Sequence, residues 1–249
     1  MRTISAIILA RNSANDIAEC IDSVSFCNEI LVIDNESKDD TSEIAIKKNA
    51  KVSELITDDF SELRNFGLKK AEGEFILYVD SDERISEELK SSIIAVLEDT
   101  KSYSCYPFNR KNFYFGNHEW PQKERLKRFF LKKDLRGWHG KIHESPIIEG
   151  DEKFINGDLL HYTHKDLKSM LDKTIEWSKT EAELRLKNNH PKMTWWRFPR
   201  VMISSFFDSY IGKKGYKAGS MGLIESMYQS FSSFVTYARL WELQQKKDA

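Results

Sequence analysis

Cysteine, proline, glycine and long hydrophobic runs are scarce in this 249-residue chain, and each shortage excludes a class of protein. Cys20, Cys27 and Cys105 are an odd number without Cys-x-x-Cys spacing, so the sequence encodes neither a disulfide framework nor a thiolate zinc site. The 5 Pro and 11 Gly, beside 40% hydrophobic residues, exclude collagen-like and disordered chains. No stretch approaches the roughly 18 apolar residues of a membrane-spanning helix.

The N-terminal apolar run is also short, because it stops at Arg11. It is too short for a signal peptide and has no cleavage site, so it predicts a buried strand. With three cysteines that we expect to be reduced, this favours a protein that stays in the cytoplasm.

Net charge is nearly absent, since 38 Lys and Arg stand against 39 Asp and Glu. The balance hides an asymmetry. Residues 190–249 contain nine basic and four acidic residues, so they carry +5, and residues 1–189 carry the remaining −6. Any function has to account for an acidic main part and a basic C-terminal part.

What is present is an alternation of strand and helix patterns over the first hundred residues. Continuous apolar runs predict buried strands, and apolar residues three and four apart predict helices. The predicted strands are Ile4–Ala10, Glu29–Ile33, Lys51–Leu55 and Glu74–Val79; the predicted helices are Asn15–Val24, Thr41–Asn49, Ser61–Lys70 and Ser86–Asp99. This order indicates an α/β fold whose parallel sheet is covered on both faces and binds ligands at the carboxyl ends of its strands.

From about residue 103 the pattern changes to aromatic and basic segments. Strand patterns cover Tyr103–Phe115 and Arg125–Lys133, and a loop-rich stretch covers Gly137–Gly150. Three helices are then predicted, over Asp166–Asn188, Trp195–Tyr210 and Gly222–Gln244.

Polar side chains follow three of the predicted strands. The strand ends are Ala10, Arg11 and Asn12; Asp34; and Asp80, Ser81 and Asp82. A carboxylate at such an end can accept hydrogen bonds from a base or a ribose, and two carboxylates at i and i+2 can hold Mg²⁺ or Mn²⁺. Helix capping is the alternative for each acid taken alone. Three polar strand ends on one edge of one sheet favour a shared ligand site.

The order and spacing of these segments resemble the family-2 glycosyltransferases of the GT-A fold. The matching segments are Ile7–Asn12, Leu31–Thr41, Arg64–Leu68 and Gly73–Glu83, the last containing an Asp-x-Asp element. The resemblance implies that Asp34 contacts the nucleotide base and that Arg64 lies near the nucleotide. It also implies that Asp80 and Asp82 address the ribose and a metal ion on the diphosphate. The nucleotide-sugar residues would then be Ala10, Arg11, Asn12, Asp34, Arg64, Asp80 and Ser81.

The second half is similar to the lipopolysaccharide core-biosynthesis branch of that family. The resembling pieces are Trp138–Glu144, His161–His164, Lys165–Lys173 and, more loosely, Pro199–Leu240. The branch's Gly-Phe-Leu-Asp-Gly stretch before the last helix is present only as the divergent segment Lys214–Gly219. The resemblance implies a GT-A domain made of a nucleotide-sugar-binding half (1–100) and an acceptor and catalytic half (101–165), followed by a helical region (166–249).

An inverting transfer needs a general base for the acceptor hydroxyl and a positive charge for the leaving diphosphate. Glu144 is the candidate base, and His143 could orient it or contact the sugar; a loop histidine without a catalytic role is the alternative. His161, or else His164, could complete a metal site with Asp80 and Asp82, because neutral imidazole suits Mn²⁺.

The C-terminal region combines aromatic and basic residues. Trp195, Trp196, Arg197, Arg200, Lys213 and Lys214 are typical of a helix lying in the plane of an anionic membrane. The alternative is a helical subdomain that packs its aromatics on the catalytic core. For the last helix, the apolar face carrying Ile224, Met227, Tyr228, Phe231, Val235, Ala238 and Trp241 is expected to pack inside the protein.

These patterns predict an inverting, Mn²⁺- or Mg²⁺-dependent transferase associated peripherally with the inner face of the cytoplasmic membrane. It would move a hexose, with UDP-glucose as the commonest donor of the resembled branch, to a glycolipid such as lipopolysaccharide core. A non-catalytic membrane or glycan-binding protein on a degenerate scaffold, and a transferase for another polysaccharide or protein acceptor, remain open. Residues 10–14 lack the glycine-rich loop of a nucleotidyltransferase, and the basic residues interleave with bulky apolar ones, which disfavours nucleic-acid binding.

Overall fold

The computed structural model describes residues 2–141 and 144–248. The chain forms two compact units, one of residues 1–111 and 124–161 and the other of residues 112–123 and 162–249. The functional division at residues 100 and 165 stays a prediction.

Strands and helices alternate through the first half of the described residues and helices dominate the end. In chain order they are β1 (Ile4–Ala10), α1 (Ile17–Ser23), β2 (Glu29–Asp34), α2 (Thr41–Lys47), β3 (Lys51–Glu54), α3 (Phe60–Lys70), β4 (Phe75–Asp80), β5 (Glu83–Ile85), α4 (Glu87–Glu98), β6 (Phe108–Tyr114), β7 (His118–Glu119), β8 (Glu124–Leu126), β9 (Phe129–Leu131), β10 (Leu135–His139), β11 (Ser145–Ile148), β12 (Asp158–Tyr162), α5 (Leu167–Lys187), α6 (Arg197–Phe207) and α7 (Gly219–Asp248). The predicted mixed α/β class with C-terminal helices is confirmed.

A five-stranded sheet in the order β3-β2-β1-β4-β9 forms the centre of the first unit. Its first four strands are parallel and β9 pairs antiparallel with β4 at the edge. Alternate side chains of each strand enter two cores: Ile8 and Val79 pack with α1 and α4, whereas Ile7 and Tyr78 pack with α3. Burial on both faces explains why these strands read as unbroken apolar runs.

The parallel register brings the polar strand ends to one edge of this sheet. Ala10 at the end of β1 is opposite Asp34 of β2, and Leu9 is opposite Asp80 of β4. Of the helix caps that competed with a site interpretation, Ser86 does cap α4, accepting the Leu89 N–H at 3.2 Å.

The loop-rich interpretation of residues 137–150 is wrong. β10 and β11 form an antiparallel hairpin there, with Trp138 opposite Pro146. Gly137 lies within this hairpin with φ +143, and a Cβ there would lie 2.9 Å from Asn65 Oδ1. The two long predicted strands are also shorter, since β6 begins only at Phe108 and the second breaks into β8 and β9.

The second unit is built on α7, against which α5 and α6 pack. The hydroxyls of Thr174 on α5 and Tyr228 on α7 are 2.7 Å apart. The rings of Phe198 on α6 and Phe234 on α7 have centroids 6.0 Å apart. Among the described residues, no helix combines the length and the apolar character needed to cross a bilayer.

The expected packing face of α7 is wrong in part: Tyr228, Val235 and Ala238 are half-buried, and Tyr228 contacts α5, but the other four residues are exposed. Ile224, Met227, Phe231 and Trp241 are 43–60% exposed. The buried side chains of the helix are the polar Glu225, Ser226, Thr236 and Gln244 and the apolar Met221 and Leu240. Hydrogen bonds of hydroxyl and amide groups contribute to this interface, so hydrophobic periodicity alone does not identify the buried face of α7.

Candidate active site

The loop after β1 is joined to the other two polar strand ends. The Asn12 N–H donates to the Ser37 hydroxyl at 2.9 Å, and Asn12 Oδ1 accepts the Lys38 N–H at 2.7 Å. The hydroxyls of Ser13 and Ser81 lie 2.7 Å apart. The structure therefore brings together at one sheet edge the predicted residues Ala10, Arg11, Asn12, Asp34, Asp80 and Ser81.

Asp34 is buried at this edge, with only 3% of its surface exposed. One of its carboxylate oxygens accepts a hydrogen bond from the Ser37 hydroxyl and the other accepts from Ser42 at 2.9 Å. Its partners are side-chain hydroxyls and not the backbone N–H groups of a helix, so Asp34 does not act as a helix cap.

Asp80 is held by two arginines. Its Oδ1 accepts from Arg64 Nη2 at 3.1 Å and its Oδ2 from Arg128 Nη2 at 3.2 Å. Burial acts to raise the pKa of Asp80, but the positive charges of Arg128 and Arg64 outweigh it and hold the pKa well below its usual range. Asp80 is therefore a carboxylate at neutral pH.

Glu144, from a distant part of the sequence, joins the same cluster. Its Oε1 accepts from Arg64 Nε at 2.8 Å and lies 3.9 Å from Arg128 Nη2. The predicted base is thus placed beside a predicted nucleotide residue that is 80 positions earlier. His143 lies outside the described residues.

Arg64 reaches the cluster because α3 lies close to the sheet. A Cβ at Gly67 would stand 2.6 Å from Ile7 Cγ2, so the glycine permits this approach. The Arg64 guanidinium faces the rings of Trp138 and Tyr78, with centroids at 5.0 and 5.5 Å. Burial lowers the pKa of Arg64, but the neighbouring carboxylates raise it further, so it keeps its charge.

Of the two candidate histidines, His161 lies beside the Asp-x-Asp element. Its Nε2 is 3.3 Å from Asp82 Oδ2, because β12 pairs with β5 and sets His161 opposite Glu83. His164 lies in the second unit, with its Nδ1 3.1 Å from Glu225 Oε2. Within the described part of the chain, no three His, Cys, Asp or Glu side chains are grouped as a ready metal site.

Asp82 and His161 supply an oxygen and an imidazole nitrogen, a donor pair that suits Mn²⁺. Both oxygens of Asp80 are bound by guanidinium groups. The donor chemistry therefore fits a metal held by Asp82 and His161 and completed by ligand oxygens better than one held by both aspartates.

Arg128 and Arg110 escaped the sequence interpretation, and Glu83 was identified only as the last residue of the Gly73–Glu83 segment. Arg128, 8% exposed, comes from the segment before β9. Glu83 is fully buried, accepts the Asp80 N–H at 2.9 Å and lies 3.2 Å from Arg110 Nη1. Burial and the charge of Asp80 raise the pKa of Glu83. The sequence signal that could have identified Arg128 is a basic residue directly before the apolar triplet Phe129–Leu131.

The predicted membrane-facing residues lie in the second unit, around α6. Trp195 is 83% exposed and Trp196 is 42% exposed. The guanidinium carbons of Arg197 and Arg200 lie 5.0 and 5.9 Å from the Trp196 ring. Lys213 and Lys214 follow in the exposed connection to α7.

The profile described as Glycosyl transferase family 2 matches residues 5–151, more than half of the chain. A Rickettsia typhi protein described as an uncharacterized glycosyltransferase is 27% identical, over 99% of this chain and 89% of that protein. The lipopolysaccharide core biosynthesis glycosyltransferase LpsC of Rhizobium meliloti is 21% identical, over 96% of this chain and 92% of that protein. Glycosyltransferase SunS of Bacillus phage SPbeta is 30% identical, over 76% of this chain but only 47% of that protein.

Among solved structures, glucosyl-3-phosphoglycerate synthase from Mycobacterium tuberculosis, in complex with Mn²⁺, uridine diphosphate and glucosyl-3-phosphoglycerate, is 25% identical. The alignment covers 45% of this chain and 44% of that one, with a TM-score of 0.38. So low a score says nothing about the site of this chain.

Proposed function

The chain belongs to glycosyl transferase family 2 and is a glycosyltransferase, and from this premise we propose a GT-A architecture and an inverting transfer of a hexose from a nucleoside-diphosphate sugar to a glycolipid. One observation carries the proposal. Carboxylates at the ends of β2 and β4 lie at one sheet edge, and Arg64, Glu144 and His161 are gathered with the Asp-x-Asp element that follows β4.

The donor would lie along the edge formed by the ends of β1, β2 and β4. Asp34 would accept hydrogen bonds from the base, and the linked loops carrying Asn12 and Ser81 would border the nucleotide. Asp80, kept charged by Arg64 and Arg128, would accept from a ribose hydroxyl. A nucleotide sugar, rather than a free sugar, matches this set of acceptors.

Asp82 and His161 would hold a divalent cation, Mn²⁺ or Mg²⁺, and His164 is left to its contact with Glu225. When bound, such an ion would neutralise charge on the departing diphosphate. The role of Asp82 and His161 is to keep an oxygen and a nitrogen 3.3 Å apart at the end of β4, so that donor oxygens can complete the coordination.

Glu144 would act as the general base. The acceptor hydroxyl loses its proton to the Glu144 carboxylate while its oxygen bonds to the sugar's anomeric carbon, and the bond from that carbon to the diphosphate oxygen breaks with the electron pair leaving on the diphosphate. The hydrogen bond from Arg64 Nε holds one oxygen of this carboxylate in place. His143, next in the chain, would orient Glu144 or contact the sugar.

The second unit supports a membrane-bound acceptor. Its exposed apolar side chains, which include Ile203 and Phe207 on α6 and the open face of α7, accompany the basic residues of the C-terminal region. Large exposed apolar patches mark partner or membrane surfaces, and basic residues attract anionic lipid. We therefore propose peripheral association through Trp195, Trp196, Arg197, Arg200, Lys213 and Lys214, and, from the name of the relative LpsC, a lipopolysaccharide-core type of glycolipid as acceptor.

The test is donor hydrolysis over UDP-, GDP- and ADP-sugars, beginning with UDP-glucose, with Mn²⁺, Mg²⁺ or EDTA. We expect one nucleotide class to be turned over only with metal, and Asp82→Ala or His161→Ala to abolish it while His164→Ala retains it. Full activity of Asp82→Ala would refute the metal assignment. If the wild-type protein binds vesicles but no nucleotide, with or without Mn²⁺, it is a non-catalytic binding protein instead.

A further inference from the structure

We propose that Arg128 is a positioning residue that, as the partner of Arg64, holds Asp80 and Glu144 in one fixed arrangement. The inference rests on the proposed roles of Asp80 toward the donor and Glu144 toward the acceptor. It adds that neither carboxylate is placed independently: both depend on the same two guanidinium groups.

The contacts join two arginines, Arg64 and Arg128, to two carboxylates, Asp80 and Glu144. Arg64 Nη2 lies 3.1 Å from Asp80 Oδ1 and 2.7 Å from Glu144 Oε1. Arg128 Nη2 lies 3.2 Å from Asp80 Oδ2 and 3.9 Å from Glu144 Oε1. Each arginine therefore reaches both carboxylates, and the four charges balance.

Burial makes that balance necessary. The side chains of Arg64 and Arg128 are only 2% and 10% exposed, and that of Glu144 is 12% exposed. Charges out of water are tolerated when they are paired, and removing one member leaves its partner uncompensated. Without Arg128, only the positive charge of Arg64 would lie between Asp80 and Glu144, and the two negative charges would repel each other.

An arginine is needed at position 128 because of its surroundings. The Trp138 ring lies against both guanidinium groups, with Arg64 Cζ at 5.0 Å and Arg128 Cζ at 5.7 Å from its centroid. A planar guanidinium can stack on such a ring and still donate from its edge to two acceptors, whereas the ammonium of a lysine acts as a point charge.

Asp80 ends β4 and Arg64 lies on α3, whereas Arg128 directly precedes β9 and Glu144 directly precedes β11. The Arg128 carbonyl accepts the Tyr78 N–H at 2.8 Å, extending the pairing of β4 with β9 and fixing Arg128 beside the end of β4. Trp138 is fixed to α3 by reciprocal bonds with Asn65 at 2.8 and 2.9 Å. Arg128 thus acts from the antiparallel edge of the sheet, while Arg64 acts from a helix.

The first arm of the test measures ligand affinity. We expect Arg128→Lys to weaken binding of the nucleoside diphosphate that the wild-type protein binds best (UDP, GDP or ADP, with and without Mn²⁺) by about 10–100-fold. For turnover of the matching sugar donor, KM should rise and kcat should fall together, because both Asp80 and Glu144 lose a side chain that positions them. Arg125→Lys, at an exposed arginine three positions earlier, is the control and should change neither.

The second arm measures stability and needs no ligand. In double-variant cycles followed by urea unfolding, Arg128→Gln combined with Asp80→Asn, and separately with Glu144→Gln, should destabilise less than the sum of the single changes. Additive cycles, or a Kd within twofold of wild type in Arg128→Lys, overturn the inference. If the wild-type protein binds none of the three nucleotides, the proposed function fails, and the cycles alone decide whether Arg128 positions the two carboxylates.

Discussion

Replacing Arg64 by methionine should remove a large part of the stability of the protein. Arg64 is 1% exposed and pairs with Asp80 at 3.1 Å and with Glu144 at 2.7 Å. Methionine keeps the apolar stem but leaves two partly buried carboxylates, 28% and 12% exposed, with Arg128 as the remaining arginine of the cluster. Breaking a buried pair in this way costs about 3–5 kcal/mol, against about 5–15 kcal/mol for the whole stability of a typical domain.

Urea unfolding at pH 7 measures the effect, and Arg136→Met is the matched control. Arg136 pairs with Glu149 at 2.6 Å, but the two side chains are 56% and 64% exposed, and such surface pairs contribute little. Arg64→Lys should lie between wild type and Arg64→Met, because it keeps the charge without the second donor. If Arg64→Met is no less stable than Arg136→Met, the buried cluster does not stabilise the fold and the electrostatic reasoning is wrong.

Two further predictions concern acid and lipid. Folding lowers the pKa of Asp80, so the stability that its carboxylate contributes is present above the ordinary pKa of 3.8 and is lost as the pH falls through the lower pKa of the folded protein. The difference in unfolding free energy between wild type and Asp80→Asn should therefore shrink below about pH 4. An equal difference at pH 3 and pH 7 would contradict this. Lys213→Gln and Lys214→Gln should each weaken binding to anionic vesicles about fivefold, because a basic residue near an anionic membrane contributes roughly 1 kcal/mol. Binding to neutral vesicles should not change. Unaltered binding to anionic vesicles would show that these lysines are not part of the membrane-binding surface.

The strands of the central sheet were predictable because the information about them is local. β1, β2 and β4 are buried on both faces over most of their length, so an apolar run marks each of them, whereas no residue of β3 is fully buried. Parallel pairing then sends all their carboxyl ends to one edge. The proximity of Asp34 and Asp80 follows from the order of the elements alone.

The predictions that were wrong concern elements whose pattern is set by neighbours. Gly137 and Gly140 suggest a loop, yet Gly137 serves a hairpin strand that lies against Asn65. The apolar stripe of α7 suggests a packed face, yet the interface of that helix is made by polar groups such as Thr236 and Gln244. Hydrophobic periodicity shows which side chains of a segment are apolar, but it does not show which neighbouring element packs against that segment.

The sequence by itself determined the fold class, the family and the strand-end carboxylates, because apolar runs, helix spacing and an Asp-x-Asp element are short-range features. Only the tertiary structure decided the electrostatics of the site. Asp80 meets Arg128 across 48 residues, and Glu144 meets Arg64 across 80. It also set His161, not His164, beside Asp82. A charge can be buried only with a partner, and that partner is chosen by strand register and helix packing, which no local pattern contains.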